Sequence, residues 1–165
     1  MADEIKVPEF IKNVIHPTKP NKDFEREYLK WLKSKAITHQ RRDKKYYEKH
    51  IEKFGNKPFE HKPYDYRKAI NDAVTKKNGC DFYTGEHLDW HLINEWDNEK
   101  AKKDHGYKRI FHNMPTLEHI DRDNLLNSLD FAICGWAVND AKNDLSKEEF
   151  IKLCQKVVQY ANKNS

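Results

Sequence analysis

Two short runs with strand character, residues 115–120 and 128–134, leave little choice for the fold of the C-terminal half. The first reads Pro115-Thr116-Leu117-Glu118-His119-Ile120, and in the second Leu129, Phe131 and Ile133 alternate with other residues, the period of a half-buried strand. Asp121-Arg122-Asp123-Asn124 between them is turn chemistry. Helical signals return after Gly135: a short helix is expected over 139–143. Ser146-Lys147-Glu148-Glu149 then reads as a capping box, in which serine and glutamate satisfy each other's free amides. It opens a last helix to about residue 162, with Phe150, Leu153, Val157 and Val158 expected inward. The order is strand, long turn, strand, helix. A further short strand is expected at 108–111.

The N-terminal half has a different texture. Pro8, Pro17 and Pro20 make the first twenty residues an irregular arm with one short helical turn. Phe24, Tyr28, Trp31, Leu32 and Ile37 recur at helical spacing, which predicts a helix from residue 23 to about 38, continuing through a cationic stretch and ending by Gly55. Pro58 and Pro63 mark a loop. Residues 66–77 then form a third helix with Ala69, Ile70 and Val74 on one side, closed by Asn78-Gly79. The stretch 90–103 is weakly amphipathic and reads as helix or loop. At 165 residues the chain suits one globule. The expected fold class is α+β, with a basic helical region 1–78 packed on a small core formed by 79–165.

The net charge of +4 is unevenly spread: residues 1–78 carry 20 Lys and Arg against 12 Asp and Glu, and residues 79–165 carry 11 against 15. A basic half joined to an acidic half suits a grip on a polyanion beside a site that collects cations. The densest cationic run, Arg41, Arg42, Lys44 and Lys45 with Tyr46 and Tyr47, is the leading candidate for nucleic-acid backbone contacts, and reads equally well as a solvated helix with core tyrosines. No stretch approaches the roughly 20 apolar residues of a membrane span, and Met1-Ala2-Asp3-Glu4-Ile5-Lys6 has no apolar leader. A cytoplasmic protein without a membrane partner is expected. Cys80, Cys134 and Cys154 are odd in number and far apart, which gives no disulfide framework.

The chemistry concentrates around His119. An imidazole can take a proton from water at neutral pH. Glu118, the preceding residue on the same strand, points the other way and offers a hard oxygen ligand. Asn139 and Asn143, four apart, would share a helix face and add neutral oxygens. Such ligands favour Mg²⁺ or Mn²⁺ over zinc and leave the metal's charge free for a phosphate. This is the equipment of a phosphodiester hydrolase.

The series Leu117-Glu118-His119-Ile120-Asp121, Phe131-Ala132-Ile133-Cys134, Asn139-x-x-Lys142-Asn143-Asp144 and Leu145-Ser146-x-x-Glu149-Phe150 resembles the HNH endonucleases, whose nucleolytic core is the ββα-metal fold. The resemblance covers roughly residues 80–158. It implies that His119 is the general base, Glu118 the acidic metal ligand and Asn139 the second ligand, with Asn143 at the family's final ligand position. The loop-bracing asparagine would be Asn124 or Asn127. Arg109 and Arg122 flank the expected strands and, with Lys142 on the helix, could clamp the phosphate. His112 could face it too if both strands pair, whereas His87 and His91 read as surface residues. Members with a structural zinc carry paired cysteine knuckles. Here the corresponding places read Cys80-Asp81-Phe82-Tyr83 and Cys134-Gly135-Trp136-Ala137, which excludes a four-cysteine zinc and leaves Phe82, Tyr83 and Trp136 to pack in its place. The N-terminal helices have no family counterpart. The implied activity is metal-dependent endonucleolytic cleavage, of double-stranded DNA in preference to RNA. The competing expectations are a nucleic-acid-binding module that has lost cleavage, and a subunit of a restriction, anti-phage defence or mobile-element complex.

Overall fold

The structure, a computed structural model, describes residues 5–104, 106–121 and 124–164. Helix α1 (Glu9–Lys12) is the single turn expected in the arm. Helix α2 (Phe24–Lys49) starts where the Asp23 carboxylate accepts the Arg26 N–H at 3.1 Å, and it runs unbroken past residue 38. The reason lies in its buried stripe: after Tyr28 and Leu32 come Ala36, His39, Asp43 and Tyr47, spacings of three and four that keep one face inward for the whole length. Helix α3 (Pro63–Lys76) begins three residues before the expected start. Pro63 is its first residue, a position that needs no N–H, and the Asp65 carboxylate accepts the Lys62 N–H at 2.7 Å.

Asn78 and Gly79 close α3 in the left-handed region, with φ of 47° and 77°. The glycine is required for a second reason: a Cβ there would lie 2.5 Å from the Phe10 ring. Trp90 Nε1–H donates to the Gly79 carbonyl at 2.9 Å, which pins this corner to the tryptophan at the centre of the core.

Residues 90–103 resolve into a 3₁₀ turn, Trp90–Leu92, and helix α4 (Asn98–Lys103). The strand expected at 108–111 is instead a helical turn, α5 (Tyr107–Ile110). Tyr107 and Phe111 stand four apart, which on a helix lets both rings meet one neighbour. They pack 4.8 Å apart by centroids and both reach Trp96.

Strands β1 (Pro115–His119) and β2 (Phe131–Gly135) form the two-stranded antiparallel sheet. Pro115 stands opposite Gly135, Glu118 opposite Ala132 and His119 opposite Phe131. Helix α6 (Trp136–Lys142) follows β2 directly, and its first free amides are satisfied by the preceding loop: Trp136 N–H donates to Met114 and Ala137 N–H to His112, at 2.9 and 2.8 Å. Helix and hairpin together make an α+β molecule, as expected at that level.

One core joins the two halves of the chain. Ile11, Tyr28, Leu32, Tyr66 and Ile70 from the helices cluster with Leu117, Phe131 and Ile133 of the hairpin and with Trp90. Each fully buried aliphatic such as Leu32 or Ile70 contributes about 1.5–3 kcal/mol. Helix α7 (Lys147–Lys163) stands outside this core. Its capping box is present, but Leu153, Val157 and Val158 are 47%, 61% and 58% exposed. The expectation that they point inward is therefore corrected: the stripe exists, and nothing in the described residues covers it. No helix among the described residues is long and apolar enough to cross a membrane.

Candidate active site

The hairpin carries two polar assemblies, one on each side, because Glu118 and His119 are successive residues of one strand and successive side chains alternate. On the side facing α2, His119 Nε2 lies 2.7 Å from Asp43 Oδ2, and Tyr66 O–H donates to the same carboxylate at 2.7 Å. The Asp43 side chain is 1% exposed and that of His119 is 10% exposed. The His119 ring leans on Phe131 at 4.5 Å, and His39 meets it edge-on at 5.9 Å. A carboxylate can only accept, so Nε2 carries the hydrogen. In the neutral ring Nδ1 then holds the lone pair, and this buried atom has no hydrogen-bond partner among the described residues.

His39 is pushed down to about 4, first by burial and then by the neighbouring His119, with Asp43 acting in the opposite sense. It sits edge-on to Phe131 at 5.5 Å and is a neutral lining of the His119 pocket at physiological pH.

On the side facing α6, the Glu118 carboxylate accepts from Tyr83 O–H and pairs with Lys142 Nζ at 3.1 Å. The Glu118 and Lys142 side chains are each 10% exposed. Burial, and then the bond to Glu118, raise the Tyr83 hydroxyl above the ordinary phenol range. Lys142 thus stands at the place where the sequence suggested a metal. A divalent ion at Glu118 would have to displace that ammonium, so the donor set as arranged does not fit a resident Mg²⁺.

The two asparagines do not share a helix face in the expected manner. Asn139 is on α6, three residues before Lys142. Asn143 lies past the end of the helix at φ 47°, its N–H closing on the Asn139 carbonyl at 3.0 Å. Asn124 and Asn127, the two candidates for the loop-bracing position, bond each other within the loop between the strands, Asn127 Nδ2 donating to Asn124 Oδ1 at 2.8 Å. Arg122 lies outside the described residues. Arg109 is exposed on α5. His112 is also exposed, with Nδ1 2.8 Å from the Arg109 carbonyl, and the paired strand that would have aimed it at a phosphate is absent because 108–111 is helical. His87 is held through its ring by Cys80 Sγ at 3.4 Å, and His91 packs edge-on to His16 at 5.8 Å.

Arg41, Arg42, Lys44 and Lys45 all point outward around a shallow cavity of about 470 Å³ that also takes in Thr38 and Glu48. They flank Asp43, the residue that reaches His119. The same turn of α2 therefore presents four cations to solvent and one carboxylate to the histidine.

Two residues escaped the sequence reading. Asp43 is one, although its place on the stripe four after His39 and four before Tyr47 marks it as inward-facing. Asp81 is the other. Its Oδ1 accepts Tyr83 N–H and Thr84 N–H at 2.7 and 2.9 Å, and its Oδ2 accepts Gly135 N–H at 2.6 Å. A single carboxylate so ties the 81–84 turn to the end of β2, where the sequence suggested only aromatic packing. Cys134 is a buried thiol held up at about 12 by burial.

The chain matches no family model, no curated protein and no solved structure.

Proposed function

We propose that this protein is a phosphodiester hydrolase of the HNH type, acting on DNA in preference to RNA, with His119 as the general base. The observation that carries the reading is the His119–Asp43 pair at 2.7 Å with Nδ1 unbonded among the described residues. A buried carboxylate on one ring nitrogen fixes the tautomer and steadies the imidazolium that forms when the other nitrogen takes a proton. Asp43 is thus a positioning residue. In the reaction His119 Nδ1 takes a proton from water, the water oxygen bonds to phosphorus, and the opposite P–O bond breaks with its electron pair going to the departing sugar oxygen, which takes a proton from solvent. Because Nδ1 is buried, water reaches it only when the covering side chains part. The cations that bracket Asp43 on α2 supply the polyanion grip next to this group.

A second reading, a nucleic-acid-binding module without cleavage, is favoured by one observation: Glu118 is already neutralised by Lys142. Conversion of supercoiled plasmid to nicked circle, measured with Mg²⁺, with Mn²⁺ and with EDTA, separates the two. Hydrolase activity yields nicked product in at least one of these conditions. Salt-dependent binding without product in any of them leaves the binding module.

A further inference from the structure

The chain carries four tryptophans, and three of them meet at a cavity apart from the His119 and Glu118 assemblies. Its volume is about 400 Å³, within the usual range of small-ligand sites. Trp31, Trp96 and Trp136 supply its aromatic lining, and Ser34, Lys35 and Asn94 part of its polar lining. The rings are fixed before anything binds. Trp31 is buried edge-on to Trp90 at 5.5 Å, while Trp96 Nε1–H donates to Asn98 Oδ1 at 2.8 Å and its ring packs on Phe111. Trp96 and Trp136 stand 27° from parallel with centroids 6.1 Å apart, and both are only half-buried. Lys35 is half-buried in the same lining and has no carboxylate partner among the described residues. Burial, and then Arg42, hold it below the usual lysine range. Lys108 adds a second cation, 5.7 Å over the Trp136 ring. The acids of the adjoining segments are occupied: Glu27 Oε2 accepts the Asn94 amide at 2.8 Å, Glu95 pairs with Lys19 and Lys22, and Asp97 accepts two N–H groups at the start of α4.

We propose that this cavity takes a single nucleotide turned out of the DNA stack, its base against the Trp96 and Trp136 rings and its phosphate on Lys35. The charges choose the occupant. An ammonium ligand, the other common guest of an aromatic cage, is repelled by Lys35 and Lys108. A planar base carrying a phosphate uses every feature of the lining: bases stack on aromatic side chains whatever their sequence, and a phosphate oxygen gives the desolvated ammonium a charged partner. The placement agrees. Lys35 precedes His39, which lines the His119 pocket, by about 6 Å along α2. Thr116, also at the cavity, precedes His119 on β1 by about 10 Å. That is a reach of roughly three nucleotides, at about 3.4 Å each along a duplex strand. The inference deepens the hydrolase reading, on which it rests for DNA as the polymer, and names a substrate with an unpaired or extrudable base.

Fluorescence anisotropy of the full chain, in EDTA and with the DNA checked intact on a gel, compares a duplex carrying one bulged nucleotide with the same duplex fully paired. The cationic turn of α2 grips both alike, so the difference between them reads the cavity. The parent is expected to prefer the bulged duplex about tenfold, and 2-aminopurine at the bulge is expected to lose fluorescence on binding. W136A is expected to abolish the preference with its circular dichroism retained, and W136F to restore most of it. K35M is expected to weaken binding of the bulged duplex and to lower its salt slope by about one. This lysine arm stands even where W136A fails to fold. Equal binding of the two duplexes by the parent, a preference that survives in W136A, or an unchanged salt slope in K35M would each overturn the proposal. The two readings fail separately: a parent with the tryptophan-dependent preference that nicks no plasmid removes the hydrolase and keeps the cavity, and a parent that nicks without the preference does the reverse.

Discussion

Replacing Asp43 tests the arrangement at its least exposed point. Asp43→Ala removes the acceptor shared by the Tyr66 hydroxyl and His119 Nε2, both at 2.7 Å, in a site where the carboxylate side chain is 1% exposed. Hydrogen bonds to a charged group are worth about 1.5–3 kcal/mol each, so losing both costs about 3–6 kcal/mol. With a melting shift of roughly 2–4 °C per kcal/mol for a chain of this size, Tm should fall by about 6–24 °C. Asp43→Asn keeps the shape and one acceptor oxygen, so it should cost about 1.5–3 kcal/mol, the worth of one such bond. The functional consequence differs in kind. Without a fixed acceptor at Nε2 the ring is free to take the other tautomer, and plasmid nicking by Asp43→Asn should drop by about 10²–10⁴-fold, the usual worth of a positioned base. Because Asp43 acts through His119, the double variant with His119→Ala should be no slower than His119→Ala alone. Urea unfolding and the nicking rate are the two readouts. An Asn variant that cleaves at the parental rate with parental stability refutes the orienting role.

Acid titration probes the second imidazole of the pocket. His39 holds a proton only below about 4 in the folded state and near 6.5 when unfolded, so the stability it permits is complete above 6.5 and is lost as pH falls toward 4. The loss should amount to about 3 kcal/mol, at up to about 1.4 kcal/mol per pH unit. His39→Phe should flatten urea midpoints across that window, and an unchanged slope would show that another group is responsible. On the other side of the hairpin, Lys142→Met should cost about 3–5 kcal/mol by leaving the Glu118 carboxylate buried without its cation. Pairing it with Glu118→Gln should recover most of that in a double-mutant cycle, and strict additivity of the two losses would mean that the ion pair contributes nothing.

The hairpin and its following helix were legible because alternation, turn chemistry and the capping box each act over a few residues. The strand expected at 108–111 failed for a physical reason: four residues cannot carry a period. The partner that decided the outcome, Trp96, lies more than ten positions away. The inward prediction for α7 failed differently. Its amphipathic stripe is present, yet periodicity reports that a face is apolar and not what covers it. At the site, Glu118 and His119 are where the strand alternation placed them. Their partners Lys142, Tyr83 and Asp43 come from three other segments, and only tertiary packing brings them in. Asp43 was hidden in plain charge counting because a lone acid amid Arg41, Arg42, Lys44 and Lys45 reads as part of a solvated surface. Its helical register, shared with His39 and Tyr47, was the signal that separates it from its neighbours.

The rate of plasmid nicking by His119→Ala, set against the parent under the same ionic conditions, addresses the proposed chemistry most directly. A parent that nicks and a variant slowed by about 10²-fold or more, with DNA affinity unchanged, is the expected result. Equal rates for the two proteins would contradict the assignment of the base and with it the hydrolytic reading of the hairpin.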